Sequence, residues 1–311
     1  GGRGSAIYKT EDGGQNWQKS DIGFTDEEEV RGRIGLAISK SNPNVLYASL
    51  TTNEITNVFE GLYKSIDGGD SWINVTNDLS PSLYASFGWF FGNVRVDPED
   101  ENNLFAMGVQ LWKSDDVNQG DWRTIDAGHV DIHDLAFFDG NSQDILVGND
   151  GGLFRSLDGG NTFSDFVNLP ITQFYNIEVD FQLPERLFGG TQDNNTVVTY
   201  TGNTDDYDRI LPGDGFHVNV DPTNSDLVYA ENQFGGLNKS TNGGQLFVRA
   251  LDGIGDDDRH NWNTPVVLSP FNPSFVFYGT EKLYISFQAE SWQSISEDLT
   301  NGLHPSGSLS Y

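Results

Sequence analysis

The chain contains no cysteine and a single methionine in 311 residues. Disulfide frameworks and thiolate metal sites are thereby excluded, and side-chain packing and backbone pairing must hold the fold. Positive charge is also scarce: 17 Lys and Arg stand against 46 Asp and Glu, a formal net charge of -29. Such a field repels a phosphate backbone or an anionic lipid surface, so nucleic acid is not an expected partner. No apolar run reaches the roughly 18 residues of a membrane-spanning helix, and no direct membrane insertion is expected. The opening Gly1-Gly2-Arg3-Gly4-Ser5 carries no apolar signal region, so the chain reads as a mature or excised segment.

What is abundant points one way. Thirty-six Gly, eleven Pro and many Asn, Ser, Thr and Asp accompany 7 Trp, 11 Tyr and 21 Phe. That mixture describes short strands, tight turns and an aromatic core. A hairpin motif recurs, in which an apolar or aromatic strand enters Ser/Thr-x-Asp-Gly-Gly-x-x-Trp/Phe. Clear copies run over 7–17, 62–72, 153–163 and 237–247, the last with Asn242 for Asp. A fifth, over 111–122, carries a one-residue insertion, and a sixth, from Leu283 to Trp292, has lost the Asp. A second motif precedes the hairpins: a strand, a Pro/Asn turn and a strand ending in a small residue, as in Val94-Arg95-Val96-Asp97-Pro98 to Leu104-Phe105-Ala106.

Together the motifs give four strands per unit. The key positions Asp12, Asp67, Asp116, Asp158 and Asn242 lie 55, 49, 42 and 84 residues apart, the last gap being two units. One hairpin between Gln192 and Asp208 has therefore lost its box, and seven units result. Repeats of about 40 to 50 residues with four strands each predict an all-β fold, a β-propeller of seven four-stranded antiparallel blades. Residues 1–311 then form a single propeller domain. The tail Ser306-Gly307-Ser308-Leu309-Ser310-Tyr311 resembles the opening strand of a blade. It either closes the ring or marks a cut from a longer, multi-propeller chain.

Each box Asp can accept hydrogen bonds from its own turn, while the glycine pair supplies positive φ and the final aromatic packs into the blade. Asp12, Asp67, Asp116, Asp158 and Asn242 are thus structural. The boxes resemble those of the BNR or Asp-box families, which include sialidases, xyloglucanase-type glycosidases and sortilin-type receptor propellers. The similarity is greatest to bacterial secreted, sortilin-like or BNR-repeat propellers, through Gly32-Arg33-Ile34-Gly35, His129-Val130-Asp131-Ile132-His133-Asp134, Gly148-Asn149-Asp150-Gly151-Gly152 and Gly189-Gly190-Thr191-Gln192-Asp193-Asn194-Asn195. The resemblance implies an extracellular, secreted or cell-surface location, with the periplasm as the other compartment.

Four polar segments are unexplained by box chemistry: 129–134, Asn149-Asp150, 192–195 and 213–217. Propellers gather such strand ends at one mouth of the central channel. If these converge, Asp131, His133, Asp150, Asp193 and Asp214 form an acidic bowl for a cation, an amine or a sugar. The alternative is that each Asp or Asn caps its own turn. His129, Asp131, His133, Asn149, Gln192, Asn194, His217 and Trp89 are the expected ligand-binding residues. Trp89 lies in Phe87-Gly88-Trp89-Phe90-Phe91, a stacking platform if exposed and core if not. Asp131, Asp150, Asp193 and Asp214 are the expected metal ligands, with calcium the first candidate; zinc on His129 and His133 would need a third ligand.

The expected function is a binding or adhesion module taking protein, peptide or polysaccharide on one face, with other domains of a longer surface protein as further partners. The alternative is a polysaccharide glycoside hydrolase. Asn149-Asp150-Gly151-Gly152-Leu153-Phe154-Arg155 resembles the segment bearing a catalytic Asp in xyloglucanase-type enzymes, in which family the second carboxylate comes from a second propeller. Asp193 or Asp214 would then be the partner. A sialidase would need three arginines on its substrate carboxylate; of ten Arg, Arg33 is the nearest approach.

Overall fold

A computed structural model describes residues 4–24, 31–52, 57–166, 169 and 171–300. The expected tail strand at 306–311 lies outside the described residues. Two compact units divide the chain, 1–169 and 170–311.

The first unit opens with the hairpin β1 (Tyr8–Lys9) and β2 (Gln18–Lys19). Three four-stranded antiparallel sheets follow. The first holds β3 (Arg31–Ile38), β4 (Leu46–Thr52), β5 (Phe59–Ser65) and β6 (Ile73–Asn74). The next holds β7 (Val94–Val96), β8 (Leu104–Met107), β9 (Leu111–Ser114) and β10 (Arg123–Ile125). The last has β11 (Ile132–Phe137), β12 (Ile145–Asn149), β13 (Gly152–Ser156) and β14 (Ser164–Asp165).

The second unit contains three more. They are β15 (Phe174–Val179), β16 (Leu187–Thr191), β17 (Thr196–Thr199) and β18 (Asp208–Leu211); then β19 (Gly215–Asp221), β20 (Asn224–Asn232), β21 (Gly236–Ser240) and β22 (Val248–Arg249); then β23 (Val266–Leu268), β24 (Phe275–Gly279), β25 (Leu283–Phe287) and β26 (Trp292–Ser294). Among the described residues, six four-stranded meanders and one two-stranded hairpin follow one another along the chain, the sheet succession of a seven-bladed β-propeller.

Second strands carry the core because both their faces are covered. Every residue of β8 is buried, as is all of β4 after Leu46. The Asp at the end of first strands serves the turn that follows. Asp97 accepts from the Glu99 amide at 2.8 Å, Asp180 from Gln182 at 2.9 Å and Asp221 from Thr223 at 2.8 Å.

The repeated turn forms as its residues require. Ser65 donates to Asp67 Oδ1 at 2.7 Å and accepts from the Gly69 amide at 2.9 Å. Asp67 Oδ1 also accepts from the Asp70 and Ser71 amides at 3.0 and 2.9 Å. Asp158 repeats this with Ser156, Asn161 and Thr162, and Asn242 bonds Ser240 and the Leu246 amide. Hydrogen bonds from Asn16 and Thr10 lower the Asp12 carboxyl to about 2, and those from Ser71 and Thr162 hold Asp67 and Asp158 well below the ordinary range. Gly160 shows why glycine is needed: its φ is +79°, and a Cβ there would lie 2.7 Å from the Phe105 ring.

Three turns depart from the sequence expectation. The structural role expected of Asp116 falls to Asp121, which accepts from the Ser114 hydroxyl and from the Asp115 and Asp116 amides at 3.2 and 3.3 Å. The insertion displaces the carboxylate along the turn, and Asp116 instead binds Asn118. Between β17 and β18, where the box is degenerate, Asp206 takes the role by accepting from Thr199 at 2.6 Å and from Thr201. Trp17, expected to pack, is 60% exposed. Elsewhere the turn aromatic belongs to a core cluster shared with the preceding sheet or hairpin of its unit: Trp72 with Ile7, Trp122 with Tyr47 and Leu62, Phe163 with Phe105, Phe247 with Phe188, and Trp292 with Tyr229. Trp17 belongs to the first hairpin of its unit, and among the described residues no sheet precedes it in that unit.

Candidate functional site

In the first unit, five predicted residues meet at one sheet end. The register pairs Ile132 with Asn149, which sets Asp131 and Asp150 on either side of the same strand terminus. A bulge after Ile132 re-aims the strand. His133 Nε2 bonds Asp150 Oδ1, and both side chains remain partly exposed. Asn149 is buried and builds the loop: its Nδ2 donates to the carbonyls of Ala127 at 3.0 Å and His129 at 3.3 Å, and its Oδ1 accepts from the Gly151 amide at 3.0 Å. Asp131 has φ +61°, and its amide donates to Val109 at 2.8 Å. His129 lines a cavity of about 340 Å³ between Val109 and Val130, with Nδ1 3.1 Å from the Val130 carbonyl.

An aromatic shelf adjoins the pair. Phe90 meets the His133 ring edge to face, with centroids 5.3 Å apart, and Trp89 lies 5.5 Å from Phe90. Trp89 is 60% exposed and Phe90 46%, so both rings are on the surface. Arg33 donates from Nη1 to the Phe90 carbonyl at 2.6 Å and the Trp89 carbonyl at 3.4 Å. Arg33 is held by main-chain oxygens of the aromatic segment, and Phe90 was expected only as part of the run from Phe87 to Phe91. A five-residue window with four aromatics was its only sequence signal.

In the second unit, Asp214 is buried and committed to the fold. Its oxygens accept from the Asp193 amide at 2.7 Å and from Gln233 Nε2 at 2.8 Å. Asp193 and Asn195 both have positive φ, 58° and 76°. Asn194 Nδ2 donates to the Gln192 carbonyl at 3.1 Å, and the Gln192 amide to Gln173 at 2.9 Å. His217 Nδ1 stands 3.0 Å from Asn176 Nδ2, and burial lowers its pKa. Glu231 is fully buried beside it, accepting from the Thr264 amide at 2.5 Å; burial pushes its carboxyl up to about 8.

The sequence reading missed Glu231 and the turn Asn232-Gln233-Phe234-Gly235-Gly236. A signal existed: this turn joins β20 to β21 as Asn149-Asp150-Gly151-Gly152 joins β12 to β13. Among the described residues, no group of three or more His, Asp or Glu side chains is placed to hold a metal ion.

The sheets and these turns define a β-propeller, with polar loops at the strand ends opposite the repeated turns. Several solved structures are similar. A GH74 enzyme from Niastella koreensis matches 94% of this chain at 20% identity, over 51% of its own length, with a TM-score of 0.44. The GH74 xyloglucanase from Xanthomonas campestris matches 95% at 16% identity, over 52% of its length, with a TM-score of 0.33. YCF48 bound to D1 peptide matches 90% at 14% identity, over 85% of its length, with a TM-score of 0.36. The chain spans about half the length of these GH74 chains. No family model and no curated protein matches it.

Proposed function

We propose that this chain is a secreted or surface-displayed binding module of the Asp-box type, alone or within a longer surface protein, that takes a glycan on the shelf of the first unit. The observation that carries the reading is the exposed Trp89 and Phe90 beside the His133–Asp150 pair. A sugar ring offers an apolar face and a polar edge. Trp89 supplies a flat surface for the former, and Asp150 and His133 supply hydrogen-bonding groups for the latter. The repeated Ser/Thr-x-Asp-Gly-Gly turns support the Asp-box assignment.

A glycan array combined with release assays on plant, algal and animal polysaccharides tests this reading. Binding without turnover, lost in Trp89→Ala at unchanged melting temperature, is the expected result. Turnover abolished by Asp150→Asn would replace the module with a hydrolase, and retention of peptides alone would replace glycan with peptide. Calcium is tested alongside, by melting in chelator and across a calcium titration at fixed ionic strength. An unchanged transition removes calcium from the proposal.

A further inference from the structure

A second cavity lies wholly within the second unit. It encloses about 510 Å³, within the range of small-molecule sites, and its walls include Asn232, Gln233, Phe234, Asn238, Arg249 and Asp256. Phe234 has φ +56° and ψ +39°, a left-handed conformation unfavourable for a bulky residue. Yet its side chain is 58% exposed, so burying the ring is not what holds it there. The surrounding fold does so instead. The Phe234 amide donates to the Trp262 carbonyl at 3.1 Å, and the Phe234 ring meets the Trp262 ring edge to face at 4.8 Å. The next carbonyl, of Gly235, accepts from the Tyr278 hydroxyl at 2.7 Å, and that hydroxyl also lies 2.9 Å from His260 Nδ1. Strain over-determined in this way, at a cavity wall, marks a preformed ligand surface.

The lining defines what fits. Gln233 Nε2 donates to Asp214 and Asn238 Nδ2 to the Gly236 carbonyl at 2.7 Å, while Asn232 Nδ2 turns to the Pro212 carbonyl at 3.5 Å. All three amides thus direct a donor into the fold, and among the described residues their side-chain oxygens accept no hydrogen bond. With the Asp256 carboxylate, the Asn232, Gln233 and Asn238 side chains line the cavity with amide and carboxylate groups able to bond hydroxyls, which calls for a hydroxyl-rich ligand. Arg249 is the one cation of the lining, and among the described residues it holds no ion pair. In a chain of net charge -29, an unpaired guanidinium on a cavity wall selects a single anionic group. A dianionic phosphate would face Asp256 with only one cation to balance it.

We propose that this cavity is a binding site for a sugar acid, with the carboxylate on Arg249, the ring face on Phe234, and the hydroxyls on Asn232, Gln233, Asn238 and Asp256. The site is independent of the Trp89 shelf, so either can fail alone. The probes are sodium D-galacturonate, D-galactose and sodium acetate, with affinity read by ligand-observed NMR and calorimetry on the whole chain. Galacturonate is expected to bind saturably and at least tenfold more tightly than either control. Arg249→Gln should weaken it at least tenfold and erase its advantage over galactose. Phe234→Gly suits the backbone conformation and removes only the ring, so it should cost at least tenfold in affinity without lowering the melting temperature. Equal binding of galactose or acetate, no saturable binding, or affinity unchanged in both variants would overturn the proposal. Trp89→Ala should leave galacturonate binding intact; its loss there, with the Arg249 and Phe234 variants silent, would place the carboxylate ligand on the shelf instead.

Discussion

Asp150 and Asp158 stand at opposite ends of β13, eight residues apart, and their surroundings have little in common. Asp158 is consumed by its own turn, accepting from Ser156, Asn161 and Thr162 within four residues on either side. Asp150 bonds a histidine on another strand, seventeen residues back, beside an exposed aromatic shelf. One end of the strand uses its carboxylate to close a hairpin, and the other presents it. In a chain so rich in acid, the useful question about each carboxylate is how many donors it already satisfies. Local donors mean architecture, whereas a partly exposed carboxylate bonded across strands, as Asp150 is to His133, stands within reach of a ligand.

The sharpest contrast comes from a carboxylate more fully committed than Asp158. Asp180 is buried against Arg186, which also reaches the Ser225 carbonyl. Asp180→Ala would strand that guanidinium, and chemical denaturation should show a loss of about 3–5 kcal/mol. A loss below about 1 kcal/mol would break the link between donor count and architecture.

Glu231 is buried with backbone donors, and its carboxyl is raised to about 8 from 4.5 by burial. A raised folded-state pKa gives a contribution complete below pH 4.5 and lost as pH rises through 8. Glu231→Gln should therefore flatten stability over that window and exceed the wild type at pH 9 by a few kcal/mol. Parallel pH curves for the two proteins would refute this.

Asp158→Ala should lower the melting temperature by about 2–4 °C, the shift of roughly one lost hydrogen-bond acceptor in a chain this size, with ligand affinity unchanged. Because its pKa is depressed, its contribution is present above pH 3.8 and fades as pH falls toward the folded value. Asp150→Asn is the smallest in stability, within about 0.5 kcal/mol of wild type, and should instead reduce glycan binding. A large melting change with intact binding would move Asp150 among the architectural acids.

The turn acids were legible because their partners lie within a few residues, so the motif contains its own explanation. Legibility ended where geometry shifted by a residue: the insertion after Ser114 passed the role of Asp116 to Asp121, and Thr199 found Asp206 beyond any recognisable box. The loop residues were legible as candidates, not as contacts. Nothing local indicates that Asp214 would be satisfied by Gln233, or that Phe90 would lie on His133. Those pairings depend on sheet register, and a one-residue bulge after Ile132 is enough to alter them.

The turn aromatics have a further consequence, for synthesis. Trp72, Trp122 and Phe163 in the first unit, and Phe247 and Trp292 in the second, each join a core cluster shared with the sheet or hairpin before their own. Trp292 adds a hydrogen bond from Nε1 to the Ala250 carbonyl at 2.8 Å. During translation, a newly emerged sheet therefore keeps an open apolar flank until the ribosome has delivered about forty more residues. At a few to about twenty residues per second, each blade waits seconds for its successor. A chain truncated after a first or second strand would leave such a flank uncovered, whereas one cut just after a turn aromatic would leave the preceding blade whole.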